Sequence, residues 1–332
     1  MKYALIVFFY FTSFSLWSDC KISGTVFTKA KIKEHFSTRA GIDLKIGLEN
    51  ERHEVNSEII LEKENYFNYG GISSATIPFL TLKKAFYKVN LFTHYPITTH
   101  IKVGRFPLQD EFPSYVNFNL DVDGVVTTWK TNLDRKFNAY LKGIIFLHDQ
   151  EWKIRTSHLK NLSGGVQIGA ANIGKENFYS SLSFFNWNLA PYEKAGRCYT
   201  EYLTIQSIIG YKNEKILFGY PCEIFVSYMI NILEKWKEAH ASYVGIIMGN
   251  DQKKGNFMLE AVYKWLHKKV IPNFDLKGLI DLPLGGNGAI LRAKYMLTDS
   301  VFAEATWEAM RKERGLGSEF EQVWELKTGC LF

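Results

Sequence analysis

Period-2 alternation, in segments of about ten residues, recurs along this 332-residue chain, and few folds tolerate it. Ala40, Ile42, Leu44, Ile46 and Leu48 alternate with Gly41, Asp43, Lys45 and Gly47. Val55, Ser57, Ile59 and Leu61 alternate with Asn56, Glu58, Ile60 and Glu62, and Phe257, Leu259, Ala261, Tyr263 and Trp265 with Met258, Glu260, Val262 and Lys264. The same pattern covers 137–145, 289–296 and 301–308. Successive strand side chains point to opposite faces, so each segment is a strand lying between two unlike media. About ten residues is the length at which a tilted strand crosses a bilayer. Outside the N-terminus no apolar run approaches 18 residues, which excludes helical spans.

The two ends of the chain sharpen this reading. At the C-terminus, Phe320, Gln322, Trp324, Leu326, Thr328, Cys330 and Phe332 share one face, and most of the charge of Glu319–Phe332 lies on the other. At the N-terminus, Lys2 precedes the apolar stretch Tyr3–Trp17, and Ser18 is a small residue at the cleavage position. About 15 residues is short for a transmembrane helix and fits a secretory signal. Trp17-Ser18-Asp19 before Cys20 is a poor lipoprotein box, so lipidation is not expected. Residues 1–18 are therefore expected to be removed, and 19–332 to form one outer-membrane β-barrel domain.

Composition agrees. Aromatics make up 15% of the chain, the share that interfacial girdles on a barrel require. Mean hydropathy is −0.13, because lipid-facing and inward residues cancel along each strand. The net charge of +6 is spread without clusters, so nucleic acid is not an expected partner.

Connectors alternate between short and long. Short polar links fall near Glu49–His53, Thr93–Pro96, Thr131–Arg135, Gly174–Glu176, Lys212–Glu214, Asp251–Gly255 and Thr298–Asp299. Longer links fall near Glu64–Pro78, Arg105–Asp123, Phe146–Ser163, Trp187–Tyr199, Asn231–Ala239 and His267–Asn287. Seven hairpins plus a first and a last strand give about sixteen strands in an all-β, antiparallel, up-and-down transmembrane barrel. An even number leaves both termini on the periplasmic side.

Three stretches then carry a family resemblance: Ile22-Ser23-Gly24, Gly104-Arg105-Phe106-Pro107, and the hairpin Gly288–Trp307. On these the chain resembles the putative porin family of Gram-negative outer membranes. The resemblance implies a water-filled diffusion channel for small hydrophilic solutes and ions, with no catalytic residues and no cofactor. It also implies the barrel-assembly machinery and outer-membrane lipid as partners, and it allows a homotrimer. A structural or adhesive barrel is the alternative function, and an outer-membrane hydrolase a more distant one. No G-x-S-x-G or H-E-x-x-H is present for an enzyme reading.

In such a channel function lies in the inward charges. By parity these include Asp43, Lys45, Glu58, Glu62, His100, Lys102, Lys142, Glu260, Lys264, Arg292, Lys294, Glu304 and Glu308. The third outer loop, about Arg105 to Asp123, corresponds to the loop that makes the constriction in sixteen-stranded porins. Asp110 and Glu111, with Arg105, are its candidate gate, facing a basic wall patch drawn from Lys45, Lys102 and Lys142. Asn119-x-Asp121-x-Asp123-Gly124 opens like a calcium loop, but Lys130 stands where the bidentate Glu belongs, so no metal is expected. Phe332 is the expected assembly signal. If the first and last strands pair end to end, Cys20 and Cys330 face the same side, and either a disulfide or two free thiols follow. Pairing of Cys198 with Cys222 is not expected, because they sit at unequal distances from their turn.

Overall fold

The computed structural model describes residues 19–32, 36–50, 52–68, 71–75, 79–93, 96–112, 121–134, 137–147, 162–173, 177–187, 202–217, 220–267, 269–270, 286–314 and 317–332. The expected export segment and Cys198 lie outside the described residues.

The strands are β1 (Asp19–Ile32), β2 (Phe36–Glu49), β3 (His53–Asn68), β4 (Gly71–Ala75), β5 (Phe79–Phe92), β6 (Ile97–Pro107), β7 (Asp121–Asp134), β8 (Phe137–Leu147) and β9 (Leu162–Ile173). They continue with β10 (Phe178–Trp187), β11 (Tyr202–Leu217), β12 (Tyr220–Asn231), β13 (His240–Gly249), β14 (Phe257–Leu266), β15 (Gly286–Met296), β16 (Val301–Arg314) and β17 (Gly317–Leu331). One helical turn, α1 (Leu108–Glu111), follows β6. All pairings are antiparallel, and all join neighbours along the chain except β3 with β5, past the short β4, and β1 with β17. Setting β4 aside, sixteen of the seventeen strands form one ring, closed where β1 pairs with β17 from Thr25↔Leu331 to Ile32↔Trp324. Closure gives every barrel strand two partners and removes the edges that a bilayer cannot hydrate.

The outer face is apolar. Ile22, Val26, Ile42, Val103, Val125, Ile145, Ile168, Ile209, Val226, Val244, Leu291 and Leu326 are all exposed, on strands right round the ring. Aromatics join them, with Trp307 and Trp324 in cross-strand register, their rings 6.0 Å apart. An unbroken apolar surface of this extent is far larger than a soluble monomer exposes. Several inward rings lie flat over glycines of the next strand. A Cβ at Gly169, Gly210 or Gly245 would stand 2.2–2.4 Å from the rings of Tyr140, Tyr179 and Phe225 respectively. These mid-strand glycines give up side-chain packing so that a ring can cover them.

Four connectors differ from expectation. β11 runs on to Leu217, so the turn follows that residue and not Lys212–Glu214. Its far end, Lys-Asn-Glu-Lys, imitates a polar turn in composition alone. The link expected from Glu64 is strand as far as Asn68, and β4 pairs back onto it. Two connections on the long-loop end are short, residues 33–35 and 315–316, because strands whose ends are wholly charged, such as 311–314, carry no apolar signal.

Candidate pore lining

Inward residues are those opposite the exposed apolar positions. Strand register places Asp43, Lys45, Glu58, Glu62, His100, Lys102, Lys142, Glu260, Lys264, Arg292, Lys294, Glu304 and Glu308 on that inner side. Most are joined in ion pairs. Arg39 Nη1 lies 3.4 Å from Glu62 Oε1, Lys84 Nζ 3.2 Å from Glu58 Oε2, and Arg292 Nη1 3.0 Å from Glu260 Oε2. Arg292 Nε also lies 3.9 Å from Glu304, while Lys294 reaches Asp251 at 2.5 Å. Lys45 sits 3.9 Å from Asp43 of its own strand. Lys264 crosses the bare backbone of Gly288 on β15 to meet Glu308 on β16 at 2.5 Å, and both are buried.

The segment after β6 turns into the barrel. Gly104, at φ +131°, takes a conformation that side chains rarely adopt, and a Cβ there would stand 2.3 Å from the carbonyl oxygen of Ala85. Phe106, Leu108 and Phe112 are wholly buried, and the Phe112 ring meets Phe185 of β10 edge-on at 5.0 Å. This apolar anchoring carries the acids of α1 to the wall. Lys102 Nζ donates to Glu111 Oε1 at 2.6 Å, and its ammonium lies 3.7 Å from the centroid of Phe86. Lys142 Nζ donates to the Glu111 carbonyl oxygen and stands 4.0 Å from Oε2. Lys84 Nζ reaches Asp110 Oδ2 at 2.8 Å. Burial pushes the Glu111 carboxyl upward, but Lys102 and Lys142 outweigh it and hold the pKa below the usual carboxylate range.

These contacts refine the expected gate. The acids touch lysines of strands β5, β6 and β8, next to their own loop, and do not face bases across open water. Lys84 takes the place expected of Lys45. It escaped the sequence reading because β5 carries a bulge opposite Glu58/Ile59, which breaks the period of two at Lys83-Lys84. Arg105 is not part of this cluster. It shares the outer side with Val103, and its Nη1 lies 3.2 Å from Asp123 on the neighbouring strand. The residue on either side of it in sequence, Gly104 or Phe106, faces inward. Asp123, once a calcium candidate, is that arginine's partner. The residues from 113 to 120 lie outside the described ones.

The thiols are also resolved. Cys20, Cys222 and Cys330 are free, so of the two alternatives for Cys20 and Cys330 the structure has the free thiols. Cys330 stands opposite Val26, not opposite Cys20. Six residues at about 3.3 Å each separate the two sites along β1, far beyond disulfide reach. The chain end pairs with Gly24 instead, through backbone bonds of 3.0 Å from Gly24 N to Phe332 O and from Phe332 N to Gly24 O. A Cβ at Gly24 would stand 2.5 Å from the Phe332 ring, so this glycine makes room for the terminal aromatic.

The inner wall is not uniform. A cluster including Phe106, Val126, Phe146, Phe185, Trp187, Phe225, Met229, Tyr243 and Leu266 fills the interior beside β5–β14. Sequence reasoning missed it, since inward apolar residues alternate with outward ones and the period of two vanishes. Val270 joins it from the link after β14, its carbonyl accepting from Thr204 Oγ1 at 3.3 Å.

No protein-family model and no curated protein sequence matches the chain. Solved structures do. The high-pH structure of Pseudomonas putida OprB is 11% identical, with a TM-score of 0.61 over 97% of this chain and 96% of that one. The low-pH structure of the same protein is 10% identical, with a TM-score of 0.56 over 94% and 92%. A structure described under asymmetric conductivity of engineered proteins is 9% identical, with a TM-score of 0.50 over 95% and 100%. At such identities the likeness is one of architecture: a closed antiparallel barrel of sixteen strands, apolar outside and charged within, which is the porin fold.

Proposed function

We propose that the chain is an outer-membrane porin, processed after residue 18, that lets small hydrophilic solutes and ions diffuse through its lumen. The observation that supports this most is the inner wall at the seam. There Lys45 and Arg292 keep 47% and 41% of their side-chain surface open inside a closed ring. An inward charge is either sealed in a close pair, as Lys264 and Glu308 are, or left open where water or solute meets it. In this reading Asp110 and Glu111, held on the wall by Lys84, Lys102 and Lys142, narrow the lumen from one side. Phe332 marks the last strand for the assembly machinery, and the apolar outer belt faces lipid. Trimerisation is compatible with that belt.

The test is single-channel recording of purified protein in planar bilayers, paired with liposome swelling in small sugars. Discrete steps and swelling are expected. A folded barrel that gives neither leaves the structural or adhesive reading standing.

A further inference from the structure

The most open inward charges and the interior apolar cluster lie on different arcs of the ring. Six neighbouring strands, β15–β17 and β1–β3, contribute no member to the interior apolar cluster among the described residues. Across the lumen, β9, β10 and β13 carry no Asp, Glu, Lys or Arg at all. Four inward polar side chains of β9–β12 are sealed and bonded in pairs. Gln167 Nε2 donates to Ser183 Oγ at 2.8 Å and Gln206 Nε2 to Ser227 Oγ at 3.0 Å, and Gln167, Ser183 and Ser227 are 0% exposed.

We propose that the conducting path is eccentric. It follows the seam wall, where Lys45, Glu62, Arg292 and Glu304 are the residues that meet a passing solute, while the β9–β13 wall is closed to solutes. The inference rests on the channel reading. Its physical basis is that a hydrated ion takes the route where charge is accessible. A face whose amide N–H groups are already taken by hydroxyls, and whose polar side chains are sealed among Phe185, Phe225 and Met229, offers a hydrated ion little in place of its own water. The seam arc carries both signs in contact, so this wall orients charged solutes more than it excludes either sign.

The experiment uses full-length protein with the four native cysteines replaced by serine and one new cysteine per variant: K45C, E304C, S183C or S227C. Each is recorded in planar bilayers while trimethylammonium-ethyl methanethiosulfonate is added. The seam variants are expected to change current on modification. The S183C and S227C sites are expected to react at least about tenfold more slowly, because a buried thiol reacts only from locally opened states. Serine to cysteine is nearly isosteric, and two sites on the closed wall guard against one misfolding. Equal rates on both walls, in channels that conduct, overturn the eccentric path and leave the channel reading intact. Absence of conductance in the unmodified protein overturns both.

Discussion

The wall at the closing seam and the wall across the lumen from it are built from the same repeating strand, yet they end as different materials. Around the seam the inward positions of β1–β3 and β15–β17 hold lysines, arginines and carboxylates in partly open ion pairs. Across the lumen, β9–β13 present Gln, Ser and Thr that are sealed beneath Phe185, Phe225 and Tyr243. The outer faces of both arcs are alike, exposed and apolar. The difference shows that in a barrel the outward face answers to one common surrounding, and the inward face answers to whatever lies beside it, water or a second layer of side chains.

The sharpest way to break this contrast is to remove charge where it is buried. Lys264→Met strands Glu308, which is 1% exposed, and is expected to cost about 3–5 kcal/mol. The double change with Glu308→Leu should recover most of that. By contrast Arg292→Met, on an open pair, should cost less than about 1 kcal/mol. Heat or urea unfolding in detergent, followed by gel mobility, measures all three. Equal losses for the two single changes mean that burial does not decide what an inward ion pair is worth.

Phe185→Ala comes next. Its ring is fully buried against Phe112 and stacks on Trp187 at 5.5 Å, so truncation is expected to destabilise by about 3–4 kcal/mol. Conductance should rise, since the cavity lies beside the lumen. A stable variant with unchanged current argues that nothing is packed there.

Glu111→Gln tests the junction of the two walls. It keeps the shape but leaves Lys102 and Lys142 without their counter-charge, an expected cost of about 1–3 kcal/mol with noisier, larger currents. The acid dependence follows with its sign. A carboxylate held below its ordinary value stabilises the docked turn fully above the unfolded pKa of about 4.3, and that contribution is lost as pH falls through the lowered value. The docked turn should therefore be indifferent between pH 8 and about 5 and loosen below about 4. Current fluctuations recorded across that range check this, and an onset near pH 6 contradicts it.

Deleting Phe332 removes the two backbone bonds to Gly24 at the seam, for an expected about 1–2 kcal/mol and a lower folded yield. Membrane-fraction yield against wild type measures it. The smallest stability effect belongs to Lys45→Ala, below about 0.5 kcal/mol. Its current–voltage relation should nonetheless shift at low salt and converge with wild type near 1 M, where the Debye length shrinks to about 3 Å. A salt-independent shift points away from the accessible seam wall.

Alternation makes much of the barrel legible. β14, β15 and β16 read directly as strands because their outward Leu259, Tyr263, Leu291, Tyr295 and Trp307 contrast with inward Glu260, Lys264, Arg292 and Glu308. The turn of β11 escaped because polar residues in a strand end and in a turn are the same residues. Lys84 escaped because one bulged residue inverts the parity of a strand. Asp110 and Glu111 were legible as acids in an inward-turning loop, whereas their partners were decided by where α1 lands. Arg105 illustrates the reverse: three residues before α1 in sequence, it pairs in space with Asp123 of the neighbouring strand.

The chain by itself determined that strands would form, how many, and which side of each would face lipid, because local period and the bilayer set those. Tertiary structure alone decided register and filling. Cys20 and Cys330 share a face by parity, yet stagger at the seam keeps them six residues apart and seats Phe332 on Gly24. Likewise Gln206 and Arg292 are both inward polar residues, and only closure of the ring makes one sealed and the other open to water. Parity is a property of one strand, whereas burial inside a barrel depends on what every other strand sends into the same space.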